Sequence, residues 1–274
     1  MPSSSDLSSP DSGSFNDQVE SLRLVPQIQR TAAHGTPISP QTALRDYFDH
    51  LTLYERREIT QYPHVYFVGR DVHKKMRGDG ASDLNHGFDD ERGDYRLVEH
   101  DHIAYRFEVL EIVGRGSFGQ VAKVFDYQTR QYVALKLIRN KKRFQKQALV
   151  EVKVLDHIRR TDSEDRCNLI RMIDHFQFRN HLCISFEMLS LNLYDVIKNN
   201  SFRGFAIPTV RKFATQILQA LVFLRQENII HCDLKPENLL LKQQDGHSIK
   251  VIDFGSSCFE NEKRKSFCLR FNVN

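Results

Sequence analysis

The sequence lacks the features that mark membrane-spanning, secreted and zinc-binding proteins. No apolar run approaches the roughly 20 residues that cross a bilayer, and the serine-rich N-terminus has no charged-then-apolar secretory signal. The five cysteines are odd in number and widely spaced, and no two form a C-x-x-C pair, so neither a disulfide framework nor a zinc site is suggested. We therefore expect reduced thiols, no membrane partner and a cytoplasmic or nuclear location.

A strong net charge is also missing. The formal charge of +4 is small for 274 residues, and a nucleic-acid partner would need basic side chains gathered on one surface. One basic run, residues 139–143, has two interpretations: a nuclear-import signal, or a solvated loop between a strand and a helix. We expect a monomer that binds no nucleic acid.

The first hundred residues divide into two segments of different composition. Residues 1–40 are rich in Ser, Pro, Gly and Asp without an apolar period, so they are predicted to be disordered. Residues 41–106 form an accessory region with two predicted short helices, the second opened by a T-x-x-E capping box at Thr52 and Glu55. Within it, a loop over about residues 69–94 is expected to separate the helices from the next domain.

The remaining sequence predicts an α+β fold with two lobes. Residues 107–190 carry β-branched and aromatic runs typical of an antiparallel sheet, with one helix over about residues 143–158. Residues 191–260 are predicted to form a mainly helical lobe, and residues 261–274 an atypical tail. A long helix begins near Pro208, which suits a first turn. Its apolar stripe consists of Phe213, Ala214, Ile217, Leu218, Leu221 and Leu224.

A glycine-rich turn predicts a phosphate-binding hairpin. Gly114, Gly116 and Gly119 match G-x-G-x-x-G, which alone is weak evidence because dinucleotide-binding folds share it. In those folds the third glycine opens a helix, whereas residues 120–124 continue here as a strand. The pattern therefore favours the hairpin that covers ATP phosphates in protein kinases.

Two charged residues are predicted to pair inside the small lobe. Strand alternation places Lys136 on the same face as Ala134 and Ile138. A buried ammonium needs an anionic partner, and Glu151 lies on the inward side of the following helix. We expect Glu151 to orient Lys136 towards the α and β phosphates of ATP; the alternative is a purely structural salt bridge.

Two further motifs supply acid, base and metal ligands. Asp233 and Asn238 stand five residues apart in the order H-x-D-x-x-x-x-N, and Asp253 opens the D-F-G triplet. Asp233 is predicted to accept the substrate hydroxyl proton, Lys235 to steady the transferring phosphoryl group, and Asn238 and Asp253 to hold Mg²⁺. With the glycine turn and the lysine–glutamate pair, these motifs predict a bilobal protein-kinase fold.

Finer details resemble the dual-specificity tyrosine-phosphorylation-regulated kinases (DYRK family), particularly class II. Cys232 stands where most kinases have arginine in the catalytic loop, residues 185–194 resemble the gatekeeper phenylalanine and hinge, and residues 253–258 read D-F-G-S-S-C. Upstream, residues 51–67 resemble the family's accessory region and residues 89–102 its homology box.

The resemblance implies ATP and Mg²⁺ as cofactors and protein substrates with serine or threonine, after autophosphorylation on tyrosine. Backbone groups of Glu187 and Leu189 would bind adenine. The expected ATP-binding residues are Gly114, Gly116, Ser117, Phe118, Gly119, Val121, Ala134, Lys136, Phe186, Glu187 and Leu189.

The resemblance stops in the segment after D-F-G. The family's activating tyrosine lies in a Y-x-Y motif there, but the last tyrosine of this sequence is Tyr194. The A-P-E segment and later large-lobe helices are also missing from the 274 residues, so part of the partner surface for residues 210–224 would be lacking. We expect a kinase fold truncated after the D-F-G turn, unstable in its helical lobe and inactive.

Three interpretations of this pattern are open. The chain is an incomplete or alternatively spliced form of a dual-specificity kinase, which the family motifs favour. Alternatively, it is an inactive nucleotide- or partner-binding protein that competes with the full-length kinase. The third interpretation is a polypeptide that never folds stably.

Overall fold

The computed structural model describes residues 36–70, 84–244 and 246–262. These residues include a six-stranded antiparallel sheet. Residues 1–35, most of the segment predicted to be disordered, lie outside the described residues. So do residues 263–274 of the predicted tail. The predicted boundary at residue 40 differs from the structure, because Ile38 pairs with Val65 through two backbone hydrogen bonds.

The accessory region contains the two predicted helices, α1 (Pro40–Asp46) and α2 (Leu53–Glu58). Ser39 caps α1 by accepting a hydrogen bond from the Thr42 N–H at 3.1 Å. The predicted capping box of α2 is confirmed: Thr52 Oγ1 accepts from the Glu55 N–H, and the Glu55 carboxylate accepts from the Thr52 N–H. Local sequence thus sets both helix starts.

The small lobe is a sheet in the order β1-β2-β3-β4-β6-β5, with one long helix packed on it. That helix, α3 (Lys142–Thr161), begins as predicted and runs three residues further at its C-terminus. The strands are β1 (His102–Ile103), β2 (Phe107–Arg115), β3 (Gly119–Asp126), β4 (Gln131–Ile138), β5 (Met172–Phe178) and β6 (His181–Glu187).

The two faces of β4 belong to two separate cores, as the period-2 pattern predicted. Val133, Leu135 and Leu137 pack with residues of the accessory side, including Phe88 and Tyr95. On the opposite face, Ala134 and Ile138 join the core beneath α3. Strand β4 therefore presents Lys136 to the helix face of the sheet.

The predicted loop over residues 69–94 does not simply separate two domains. Residues 71–83 lie outside the described residues, but Phe88 and Asp89 are buried against the sheet. Asp89 accepts hydrogen bonds from His181 Nε2 and from Asn140 Nδ2, both at 2.8 Å. A buried carboxylate needs such partners. Distant residues supply these two, and the nearby Asn85 Nδ2 also donates to Asp89 Oδ1 at 2.8 Å.

The second lobe combines two helices with two small antiparallel sheets. The helices are α4 (Leu193–Asn199) and α5 (Ile207–Gln226). One sheet pairs β7 (Ile229–Ile230) with β10 (Cys258–Phe259), and the other pairs β8 (Leu239–Leu241) with β9 (Ile249–Val251). No helix among the described residues is long and apolar enough to span a membrane.

The apolar stripe predicted for α5 is buried only in part. Phe213 and Leu224 are buried and Ile217 is half-buried, but Leu218 is 61% exposed. The buried side also includes Ala220 and Phe223 and faces β7 and β9. Ala214 and Leu221 are also exposed, so within the described residues only one face of this helix is covered.

Candidate active site

A buried ion-pair cluster joins the sheet, α3 and the D-F-G segment. Lys136 Nζ lies 2.7 and 2.9 Å from the two carboxylate oxygens of Glu151, and 3.3 Å from Asp253 Oδ1. The side chains of Lys136 and Glu151 are 13% and 3% exposed. The predicted pairing of Lys136 with Glu151 is thus present, and the same ammonium also contacts Asp253.

Burial and the opposed charges shift the pKa values of the cluster's members, and at Glu151 burial outweighs the charge of Lys136 and raises the pKa. Burial opposes the charge of Lys136, but the charges of Glu151 and Asp253 outweigh it and raise the pKa of Lys136. Burial would also raise the pKa of Asp253, yet Lys136 more than compensates, so that pKa lies below its ordinary value. The cluster therefore offers an ammonium donor beside an ionised carboxylate.

Backbone strain marks the D-F-G turn and the catalytic loop. Asp253 (φ +62°) and Cys232 (φ +66°) both occupy the left-handed region, which side-chain-bearing residues seldom adopt. Such strain persists where the surrounding structure enforces it, often at functional sites. Gly255 lies two residues after Asp253. A Cβ on Gly255 would lie 3.1 Å from Asp253 Oδ1, which is closer than most real Cβ contacts. Glycine at this position therefore leaves room for the carboxylate.

The catalytic loop forms a hydrogen-bonded unit around Asp233. Lys235 Nζ donates to Asp233 Oδ2 at 2.8 Å, and Asn238 Nδ2 donates to the Asp233 carbonyl at 2.8 Å and to its Oδ2 at 3.1 Å. This use of Nδ2 leaves Asn238 Oδ1 as the acceptor for a cation. The Ile252 N–H donates to the Asn238 carbonyl at 2.9 Å, which brings Asn238 beside the residue preceding Asp253.

His231 holds the catalytic loop in place through contacts at both of its ring nitrogens. Its ring is buried, its Nε2 lies 2.9 Å from the Ile252 carbonyl, and its Nδ1 accepts from the Asp233 N–H at 3.2 Å. It also contacts the Phe254 ring edge-on. Burial lowers the pKa of His231, which favours the neutral ring that can donate at one nitrogen and accept at the other.

The glycine-rich turn connects β2 and β3 as predicted. Gly119 (φ +150°) must be glycine, because a Cβ there would lie 2.0 Å from the Leu137 carbonyl oxygen. The turn is closed by the Gly116 N–H, which donates to the Gly119 carbonyl at 2.8 Å. Gly114 and Gly116 meet no close neighbour, and Ser117 is exposed, so their backbone faces open space. Phe118 instead packs edge-on against Phe144 of α3.

Three of the remaining predicted nucleotide contacts, Val121, Ala134 and Phe186, share one face of the sheet with Lys136. Val121 pairs with Lys136, and Ala134 pairs with the gatekeeper Phe186. Directly paired residues point to the same side. Glu187 ends β6, and Leu189 follows it in the hinge. The sheet therefore brings together residues that are 65 positions apart in sequence, between Val121 and Phe186.

The residues fit ATP and Mg²⁺ by chemistry. Carboxylate and amide oxygens, here Asp253 and Asn238, are the ligands that Mg²⁺ prefers. Lys136 supplies a cation for phosphate oxygens, and the hinge backbone offers donors and acceptors for a planar base. Sequence reasoning missed the contact of Lys136 with Asp253 and a second contact, in which Gln147 Nε2 donates to the Gly255 carbonyl at 2.6 Å. A helix glutamine carries no local signal of such a role.

The fold and this geometry define a protein kinase domain. The family model for the protein kinase domain matches residues 107–272, more than half of the chain. The match covers the glycine-rich turn, the Lys136–Glu151 pair, the catalytic loop and the D-F-G turn.

Three relatives narrow the assignment. The chain is 49% identical to the Rattus norvegicus dual specificity tyrosine-phosphorylation-regulated kinase 3 over 262 residues, 95% of this chain and 44% of that protein. It is 54% identical to the Homo sapiens kinase of the same name over 83% of this chain and 38% of that protein. It is also 54% identical to the Caenorhabditis elegans dual specificity tyrosine-phosphorylation-regulated kinase mbk-2, over 82% of this chain and 27% of that protein.

The chain belongs to the dual-specificity tyrosine-phosphorylation-regulated kinase family of protein kinases. It spans less than half the length of these relatives, 44% at most among the three.

Proposed function

We propose that this chain carries the ATP- and Mg²⁺-binding site of a dual-specificity kinase, which phosphorylates serine and threonine in proteins and autophosphorylates on tyrosine. The observation that carries the proposal is the contact of Lys136 with both Glu151 and Asp253, beside the Asp233–Asn238 unit. The names of the relatives support dual specificity. The resemblance at Cys232, residues 185–194 and residues 253–258 supports class II membership.

The proposed mechanism assigns one task to each polar residue. Bound ATP supplies the γ-phosphoryl group, and Mg²⁺ neutralises phosphate charge. Lys136, held by Glu151, would bind the α and β phosphate oxygens, while Asp253 and Asn238 would hold the metal. Asp233 accepts the proton of the substrate hydroxyl as its oxygen bonds to the γ phosphorus and the bond to the ADP oxygen breaks. Lys235, 2.8 Å from Asp233, steadies the transferring group.

We further propose that a polypeptide of residues 1–274 binds nucleotide without phosphorylating proteins. Its sequence has no tyrosine after Tyr194, and Leu218 and Val222 of α5 are 61% and 57% exposed. Exposed apolar side chains leave this lobe less stabilised by burial, and phosphoryl transfer needs a protein substrate held in a fixed geometry. The same features also support a second candidate function. In it, the chain binds nucleotide or a partner protein and competes with a full-length kinase.

The test measures nucleotide binding and phosphate transfer by the purified 274-residue chain. We expect Mg-ATP to raise its melting temperature, ATP with EDTA to do so less, and Asp253→Asn to remove the difference between the two. No response to Mg-ATP in a chain that melts cooperatively would contradict the ATP site. Transfer of labelled phosphate to a serine-containing basic peptide, lost in Asp253→Asn, would contradict the proposed inactivity.

A further inference from the structure

A second buried lysine lies close to the predicted active site but outside its motifs. Lys250 is in β9, three residues before Asp253, and its side chain is 0% exposed. Its Nζ lies 2.6 and 2.7 Å from the carboxylate oxygens of Asp165 and also contacts Glu187 Oε1. A buried ammonium requires such anionic partners, so these contacts hold its position.

The two carboxylates occupy different parts of the fold. Asp165 lies in the connection between α3 and β5, whereas Glu187 is the last residue of β6 and opens the hinge. Their side chains are equally accessible, 30% and 29% exposed. Lys250 therefore ties the hinge to the strand that leads into the D-F-G turn.

Glu187 is bonded to Arg171, the residue before β5, through both its side chain and its backbone. Its Oε1 accepts from the Arg171 N–H at 2.8 Å, and its own N–H donates to the Arg171 carbonyl at 3.3 Å. Beyond Leu189, the Ser190 N–H donates to the Leu241 carbonyl of β8 at 2.8 Å. The hinge is thus anchored at its start by a side-chain ion pair and at its end by backbone bonding.

We infer that Lys250 is a positioning residue for adenine, acting through the carboxylate of Glu187. The inference rests on the proposed ATP site, in which backbone groups of Glu187 and Leu189 receive the base. Holding the Glu187 side chain fixes the peptide group on which the adenine hydrogen bonds depend, and binding groups lose effect when displaced by about 1 Å. Asp165 compensates the same ammonium but has no part in the hinge.

This difference provides a matched pair of variants. Glu187→Gln and Asp165→Asn each replace a carboxylate on Lys250 by an amide, at nearly equal exposure. Asparagine also tolerates the left-handed backbone of Asp165, φ +56°. Lys250→Met removes the ammonium itself while keeping an unbranched side chain.

Dissociation constants for Mg-ATP and for Mg-tripolyphosphate, which has no base, are measured by calorimetry on the 274-residue chain and the three variants.

We expect Glu187→Gln and Lys250→Met to weaken Mg-ATP binding about tenfold, because each removes one charge of the Glu187–Lys250 ion pair and so loosens the hinge peptide group that binds adenine. Mg-tripolyphosphate binding should stay within about twofold, and Asp165→Asn should change neither constant by more than that. Equal weakening of both ligands, the same loss in Asp165→Asn as in Glu187→Gln, or unchanged Mg-ATP binding in Glu187→Gln would each overturn the inference. If the unaltered chain binds neither ligand, the proposed ATP site fails and the inference with it.

Discussion

At the residue scale, Cys232 of the catalytic loop differs in exposure from the other cysteines that the structure describes. Cys232 adopts a left-handed backbone and its side chain is exposed, directly before Asp233. By contrast, Cys183 is buried at 0% exposure, and Cys258 likewise. Cys167 is partly covered, and burial together with the nearby Asp162 raises the pKa of its thiol to about 11. Thiol chemistry needs an accessible thiolate, so these environments predict different reactivities.

We predict that iodoacetamide at pH 8 alkylates Cys232 faster than Cys167, Cys183 and Cys258. Peptide mapping by mass spectrometry over a time course gives the four rates. Labelling in 8 M urea is the control, since the rates should then converge. Alkylation of Cys183 as fast as Cys232 in the native chain would contradict the described burial.

Among the elements, α5 shows how far a helix pattern predicts packing. The helix forms as its sequence indicates, with Pro208 in the first turn. Its apolar stripe is buried only in part: Leu224 is 2% exposed, whereas Leu218 is 61% exposed. Both are leucines of one helix, so helix propensity is the same for each and only burial distinguishes them.

We predict that Leu224→Ala lowers the free energy of unfolding by about 2–5 kcal/mol, since it removes buried methyl groups and leaves a cavity. Leu218→Ala is the matched control and should change that free energy by less than about 0.5 kcal/mol. Urea denaturation followed by circular dichroism measures both. A loss in Leu218→Ala as large as in Leu224→Ala would show that the exposed face is covered in solution.

At the scale of the whole molecule, one arginine joins the second accessory helix, α2, to the sheet. Arg179, in the β5–β6 turn, has a 1% exposed side chain and donates to Glu58 at 2.7 Å and to Glu55 at 3.3 Å. It also donates to the Tyr95 hydroxyl at 2.8 Å and lies over the Phe88 ring. Helix α2 is thereby bonded to the small lobe through buried charges.

We predict that Arg179→Met destabilises the chain by about 3–5 kcal/mol, because it leaves the buried carboxylates of Glu55 and Glu58 without their cation. Arg225→Met is the control, since the Arg225–Glu260 pair is 77% and 43% exposed and such pairs contribute about 0–1 kcal/mol. Urea denaturation gives both values. If the two variants lose equal stability, Arg179 does not join the two regions energetically.

Much of the candidate site could be predicted because its signals are local or periodic. Strand alternation placed Lys136 on the helix face, helix spacing turned Glu151 inward, and their pairing followed from the cost of a buried charge. The third contact of that cluster, with Asp253, joins residues 117 positions apart and had no such signal.

The sequence by itself determined the order of elements, the capping of α2 and the class of chemistry, since these depend on spacing and on residues close along the chain. Only the tertiary structure decided which polar groups are shared between distant elements. Arg179 meets Glu55 from 124 positions away and Lys250 meets Glu187 from 63. Such contacts arise because a buried charge takes whichever partner the packing brings within reach, and spacing along the chain does not encode that partner.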